Sequence, residues 1–284
     1  MANYQSSYAV IGTNGILKRI SSYQYGSEMK MNKIEFNIDP VAECSVLVTL
    51  KPVCSSSVTQ TVEHSSSADD SRYMAHFSEA IRQHFASVLM NVTPAYHTIL
   101  VDYLPYRISE QQLVEQLNTL LTQSLSTLAK KHSQSNVVEL PAYYSKETAL
   151  DLERYQDKGL SLDSVIAYHT SRTYHVSAIG FIPGFAFMSD VPDELVLPRH
   201  ATPRLSVPKG SIAIAGSKTA VYPSDSPGGW NIIGNCPLSL FDYGQLTNAD
   251  ISSQGLSLLN VGDSVQFRAI TKKEFSELGG VLNG

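Results

Sequence analysis

The chain has no apolar run approaching the ~20 residues that a membrane-spanning helix needs, so a transmembrane segment is not expected. Cysteine is scarce: Cys44, Cys54 and Cys236 form no CxxC pair, which argues against a zinc knuckle or a dithiol redox motif and for reduced thiols in a cytoplasmic protein. His175 and His200 lack partners at metal-ligand spacing, so no zinc site is expected. Positive charge is also scarce. A net charge of −5 and the absence of long basic runs argue against a nucleic-acid or anionic-membrane surface. Neither GxxxxGK[ST] nor GxGxxG occurs; Gly216-Ser217-Lys218-Thr219 lacks the first glycine of a phosphate-binding loop, and Pro223 interrupts any helix that would follow. The first residues, MANYQSSYAVIGTNGILKRI, lack a charged start ahead of a long apolar core, so a signal peptide is not expected.

What is present fits two domains within 284 residues. Residues 1–31, polar and rich in Gly, Ser and Tyr, are expected to form a loosely ordered extension. Lys33–Asn37 and Cys44–Leu50 read as strands, and 51–71, with two serine triplets, as a mobile insertion. Phe77, Ile81, Phe85 and Val88 recur at helical spacing and predict a helix over His76–Met90. Thr98–Tyr103 is a strand. Ser109 with Gln112 forms a capping-box pattern at the start of a helix whose apolar face includes Leu113, Leu117, Leu121 and Leu125. This order suggests a ferredoxin-like α/β sandwich over 32–130. Lys130–Asn136 reads as a linker. Beyond it, 137–284 carries short helices over Asp151–Asp157 (ending at Gly159) and Asp163–Ser171 (capped by Ser161). Many short strands follow, with Pro and Gly turns, and the pattern indicates a closed barrel or sandwich. Lys272–Leu278 closes the pattern with a helical turn or two. The fold class is therefore α+β.

Val207–Trp230 concentrates the chemistry. Ile212, Ile214 and Val221 suit buried strands, Gly216 suits the turn between them, and Pro227-Gly228 reads as a further turn against the lone Trp230. Paired Gly228 and Gly229 allow close approach of main chain to a ligand, and their N–H groups suit an anion. The same stretch can also be read as a tight β-corner packed by an aromatic.

The second half resembles a family that includes the B-type subunit of 5-oxoprolinase, the Kip sporulation-kinase inhibitor and allophanate hydrolase subunit 1, which share carboxyltransferase subdomains C and D. The resemblance runs from about Cys44 to Arg268. It rests on GFIPGF at Gly180–Phe185, PRHATPR at Pro198–Arg204, VPKGSIAIAG at Val207–Gly216, Thr219 with Tyr222-Pro223, SPGGW at Ser226–Trp230, and Ile233-Gly234 ahead of Phe241-Asp242. The chain departs from the family where Lys218 stands for the usual Gln, Ala220 for Gly, and Thr148-Ala149-Leu150 for FGP, although Glu147, Asp151 and Leu152 match.

The resemblance implies a C-terminal cyclophilin-like β-barrel. It also implies a role within an ATP-dependent 5-oxoprolinase, which opens the lactam of 5-oxo-L-proline to L-glutamate. Its partners would be a separate allophanate hydrolase subunit 2-like chain and a LamB/YcsF-type protein. The alternative is a Kip-like regulator that inhibits a sensor kinase. Lactam opening with ATP, carried with Mg at the partner interface, calls for a carboxylate clamp and oxyanion donors. His169, Arg204 and Tyr222 are the candidate catalytic residues. Lys218, Thr219, Ser226, Gly228, Gly229, Trp230 and Phe181 are the candidate substrate-binding residues. Duller readings stand beside these. Arg204 can bridge carboxylates within the barrel, Tyr222 can be a core aromatic, His169 can be a cation at a helix C-terminus, and Lys218 a solvated loop lysine.

Overall fold

In the computed structural model, residues 34–52, 68–128, 137–244 and 255–282 are described. They fall into two compact units, within Tyr23–Gln134 and within Ser135–Gly284. The expected N-terminal extension and the linker lie outside the described residues.

The first unit is a four-stranded antiparallel sheet and two helices: β1 (Ile34–Ala42), β2 (Ser45–Pro52), α1 (Ala68–His84), β3 (Leu89–Ala95), β4 (Thr98–Tyr103) and α2 (Glu110–Leu128). The strand order is β1-β2-β4-β3. Val46 and Val48 on β2, with Ile99, Val101 and Tyr103 on β4, alternate into the core at the period of a pleated strand. Met74, Phe77, Ile81, Leu113, Leu117 and Leu121 supply the helical side of that core at spacings of three and four. The Ser109–Gln112 pair forms as read: the Gln112 N–H donates to Ser109 Oγ at 3.3 Å, and the Ser109 N–H donates to Gln112 Oε1 at 3.2 Å.

Two boundaries differ from the sequence reading. The helix expected over His76–Met90 begins at Ala68 and ends at His84, and β3 already starts at Leu89. Phe85 is buried beyond the helix end, so its apolar period belongs to the turn into β3. The expected insertion 51–71 is shorter: Lys51 and Pro52 finish β2 and Ala68–Ser71 open α1, leaving 53–67 outside the described residues.

The second unit contains β5 (Val137–Ala142), α3 (Leu152–Gln156), α4 (Leu162–Thr170), β6 (Thr173–Ile179), β7 (Ala186–Met188), β8 (Arg204–Val207), β9 (Ser211–Ala215), β10 (Lys218–Val221), β11 (Ser226–Gly228), β12 (Asn231–Asn235), β13 (Ser264–Ala269) and α5 (Lys272–Glu277). Antiparallel pairing runs β13-β6-β7-β10-β9-β12, and β5 joins β13 in parallel. A bridge between Tyr143, just past β5, and Asn235, the last residue of β12, connects the two end strands. Strands β8 and β11 form a separate ribbon.

The helix signals here are local and hold. Ser161 Oγ accepts from the Ser164 N–H, Thr271 Oγ1 accepts from the Glu274 N–H, and Gly159 at φ 81° ends the α3 turn. Two cores line the sheet. A large one holds Tyr155, Tyr174, Ile214, Val221 and Phe267; a small one holds Phe185, Val207, Ala213, Ala220, Tyr222 and Ile232. No described helix is long and apolar enough to cross a membrane.

Candidate functional site

Strand β10 divides the residues singled out from the sequence, because neighbouring side chains on a strand point to opposite faces. Ala220 and Tyr222 enter the small core. Thr219 enters the opposite side, where it meets His169.

His169 is fully buried. Thr219 Oγ1 donates to the Ala213 carbonyl at 3.1 Å and so accepts from His169 Nε2 at 3.0 Å; His169 Nδ1 then accepts from the Tyr144 hydroxyl at 2.7 Å. The network fixes the tautomer, and burial lowers the ring's pKa to about 3. The imidazole is therefore neutral. The expected cation at a helix C-terminus is corrected: loss of hydration outweighs the helix dipole, which is worth at most ~2 kcal/mol. Phe267 and Tyr174 pack on the ring, with centroids 4.4 and 5.3 Å away. The structure thus separates His169 and Thr219 from Arg204 and Tyr222, and both polar atoms of the imidazole are committed.

The small core lies against the ribbon, whose Val207 belongs to it. Phe185 is its hub, in edge-on contact with Phe181, Phe187, Tyr222 and Trp230 at centroid distances of 5.0–5.5 Å. Phe181 is 60% exposed and sits at φ 70° in a tight turn in which the Ile182 N–H donates to the Gly180 carbonyl at 2.9 Å. A non-glycine residue in that region is strained.

Pro227-Gly228 is not a turn. Both residues lie in β11, and Gly228 pairs with Arg204 of β8. Glycine is required there for a different reason: a Cβ on Gly228 would overlap the Tyr222 hydroxyl. The Tyr222 phenol is held up in pKa by burial, and a Trp230 main-chain hydrogen bond, Arg199 and Arg204 act against that rise. Gly229 is buried, and its carbonyl accepts from the His200 N–H at 2.7 Å.

Arg204 does bridge a carboxylate, yet only with part of its fork. Nη2 donates to Asp151 Oδ1 at 2.6 Å, while Nη1 is shielded from water and has no partner. Ser226 Oγ is likewise buried and unpartnered. Each such group costs about 1–3 kcal/mol relative to a satisfied one. Lys218 is not a loop lysine in water. It is half-buried on β10, and its ammonium pairs with Asp190 at 2.6 Å, where Ser217 also donates at 2.6 Å.

Asp151 and His200 are absent from the candidate site residues, and the structure brings both to Arg204. Asp151 is 4% exposed and also takes His200 Nε2 at 2.8 Å. The available signal was that these residues stand inside or beside the two matching blocks, PRHATPR and the Glu147–Leu152 segment. What emerges is an aromatic wall (Phe181, Phe185, Trp230) beside a cationic edge (Arg199, Arg204) with an unsatisfied hydroxyl. That combination suits a small ring carrying a carboxylate.

Residues 48–250 match the family described as carboxyltransferase domain, subdomain C and D. A Bacillus subtilis (strain 168) protein named as the B-type subunit of 5-oxoprolinase is 34% identical over 192 residues, covering 64% of this chain and 76% of the relative. A Haemophilus influenzae protein of the same name is 30% identical over 236 residues, covering 81% of this chain and 96% of the relative. The crystal structure of TTHA0988 superposes with a TM-score of 0.60 at 33% identity over 72% of this chain; the match spans 38% of that longer chain.

Proposed function

The chain belongs to the family of carboxyltransferase domains, subdomains C and D, and from that membership we propose that it is one component of a 5-oxoprolinase-type complex that opens 5-oxo-L-proline to L-glutamate with ATP. The observation that carries the reading is the 30% identity to a protein named as a 5-oxoprolinase subunit across 96% of that relative's length. The geometry supports it. A five-membered lactam has one apolar face, an amide and one carboxylate. Arg204 Nη1 takes the carboxylate, Phe181 and Trp230 cover the ring, and Ser226 Oγ donates to one of its oxygens once bound. Arg199 adds a second positive charge beside Tyr222.

These residues do not fit a magnesium nucleotide. The carboxylate of the site, Asp151, already accepts from His200, Arg204 and the Ile232 N–H, and Lys218 is spent on Asp190. Among the described residues no group of three His, Cys, Asp or Glu is placed to hold a metal. The reading therefore assigns ATP to another chain of the complex, an allophanate hydrolase subunit 2-like partner or a LamB/YcsF-type protein. It makes this chain the lactam-holding component of a cytoplasmic assembly.

The same reading describes the fold as two known modules. In the first unit β2, α1, β3, β4 and α2 follow the ferredoxin-like course, and β1 occupies the place of that fold's last strand. In the second, among the described residues, the sheet is not closed by a strand pair, since only the isolated Tyr143–Asn235 bridge spans its ends; a cyclophilin-like barrel remains the arrangement proposed.

The test is reconstitution. This chain, a subunit 2-like protein and a LamB/YcsF-type protein are mixed and glutamate is followed. ATP-dependent release from 5-oxoproline that needs this chain is expected; an intact complex that releases none would refute the reading.

A further inference from the structure

Asp151 is the most heavily used carboxylate of the described second unit, and the lactam-binding role assigned above gives it no contact with substrate. It stands just ahead of α3, nearly buried, and clasps β12 in both directions. Its N–H donates to the Ile232 carbonyl at 3.1 Å, and its Oδ2 accepts the Ile232 N–H at 2.7 Å. Oδ1 is shared by Arg204 Nη2 at 2.6 Å and His200 Nε2 at 2.8 Å. His200 also ties its own N–H to Gly229 at the end of β11. One carboxylate thus joins the sheet, the loop ahead of β8, and the guanidinium that β8 carries.

Arg204 needs such a hold. Strand β8 has four residues and, among the described residues, pairs only with the three-residue β11, in a ribbon with a register shift between Ser226 and Gly228. An arginine on so short a ribbon must lose side-chain rotamer freedom before it can meet a ligand in one geometry. A second restraint shows that the loop is built to be rigid. Asn231, fully buried, donates Nδ2 to the Pro198 carbonyl at 3.2 Å and to the Ile214 carbonyl at 2.9 Å, and Arg154 donates to Asn231 Oδ1. Asp151 occupies one tooth of the Arg204 fork and leaves the other, Nη1, without a partner.

We infer that Asp151 is a positioning residue: it fixes the Arg204 guanidinium through Nη2, with His200 as a brace, so that Nη1 is aimed at the carboxylate of the substrate. The inference rests on the reading that Arg204 receives that carboxylate.

Asp151→Asn is the decisive change, because it keeps the shape and an acceptor for Ile232 while removing the charge. In the reconstituted complex, KM for 5-oxoproline is expected to rise about tenfold or more with kcat changed less than about threefold, which corresponds to the loss of about 1.4 kcal/mol of binding. Asp151→Asn combined with Arg204→Ala is expected to be no worse than Arg204→Ala alone. A fall in kcat at constant KM, or additive effects in the double variant, overturns the inference, because a merely structural carboxylate produces either. Should Asp151→Asn fail to fold, Asp151→Glu keeps the charge but displaces it by one methylene; KM must again rise, and an unchanged KM overturns the proposal.

A readout independent of turnover is the nitrogen NMR of arginine side chains in this chain by itself. A distinct, slowly rotating Arg204 guanidinium is expected in the wild type and an averaged one in Asp151→Asn. An averaged Arg204 in the wild type refutes the hold itself. A complex that makes no glutamate while that signal behaves as expected refutes the lactam reading and leaves the hold standing.

Discussion

Two polar side chains read from the sequence as equals, His169 and Arg204, turn out to have opposite circumstances. His169 has both nitrogens satisfied and a pKa lowered to about 3; Arg204 keeps an unused donor. From the first follows a pH dependence. The unfolded imidazole titrates near 6.5 and the folded one near 3, so between these values only the unfolded state takes up the proton. Stability is full above about pH 6.5 and declines as pH falls toward 3, with a slope approaching about 1.4 kcal/mol per pH unit from this group. Urea melts at pH 7, 6 and 5 are expected to show that loss, and His169→Gln is expected to flatten it while lowering stability at pH 7. From the second follows a binding effect. Arg204→Ala is expected to raise KM for 5-oxoproline by about 10- to 100-fold, since a charge-assisted hydrogen bond contributes about 1.5–3 kcal/mol. Initial-rate measurements on the reconstituted complex check it.

Among the elements, the ribbon of β8 and β11 depends on a glycine for its packing. Adding a methyl at Gly228 puts it into the Tyr222 hydroxyl, so either the strand pair opens or the phenol leaves the small core. Gly228→Ala is therefore expected to cost about 1–3 kcal/mol by denaturant melting, the usual range for an overpacked site, and to disturb Trp230 fluorescence. The helix termini make the contrast. Ser109→Ala removes the hydroxyl half of the cap on α2 and is expected to cost about 1 kcal/mol without any spectral change at Trp230, which lies in the other unit.

For the molecule as a whole, the second unit holds two separate cores of different character. The large core carries His169 and Tyr155, whose hydroxyl is buried without a partner, while the small core and its ribbon carry the positive-φ Phe181, the unpaired Arg204 nitrogen and the unpaired Ser226 hydroxyl. At the small core and its ribbon a positive-φ residue and two unpartnered donors fall on neighbouring elements, an arrangement that a ligand would relieve. On the proposed reading, 5-oxoproline at a hundredfold excess over its Kd is expected to stabilise this chain in its complex by about 2.7 kcal/mol, read as a rise in Tm. No rise at saturating ligand would place the lactam on another chain of the complex.

The sequence by itself determined the features whose signals are short-range. The capping pairs at Ser109 and Ser161, the Gly159 stop, the hairpin at Gly216 and the alternating strand Thr98–Tyr103 each depend on residues a few positions apart, and each formed as read. The family resemblance belongs to the same side, because the ordered blocks from Gly180 to Asp242 are legible without coordinates. The tertiary structure alone decided which of those residues share a site. Asp151 meets Arg204 across 53 positions and Ile232 across 81, and His169 meets Thr219 across 50. No local pattern encodes such meetings. They follow from which face of β10 each side chain takes and from which donors the close-packed core leaves without a partner, and both are settled only when every strand has found its neighbours.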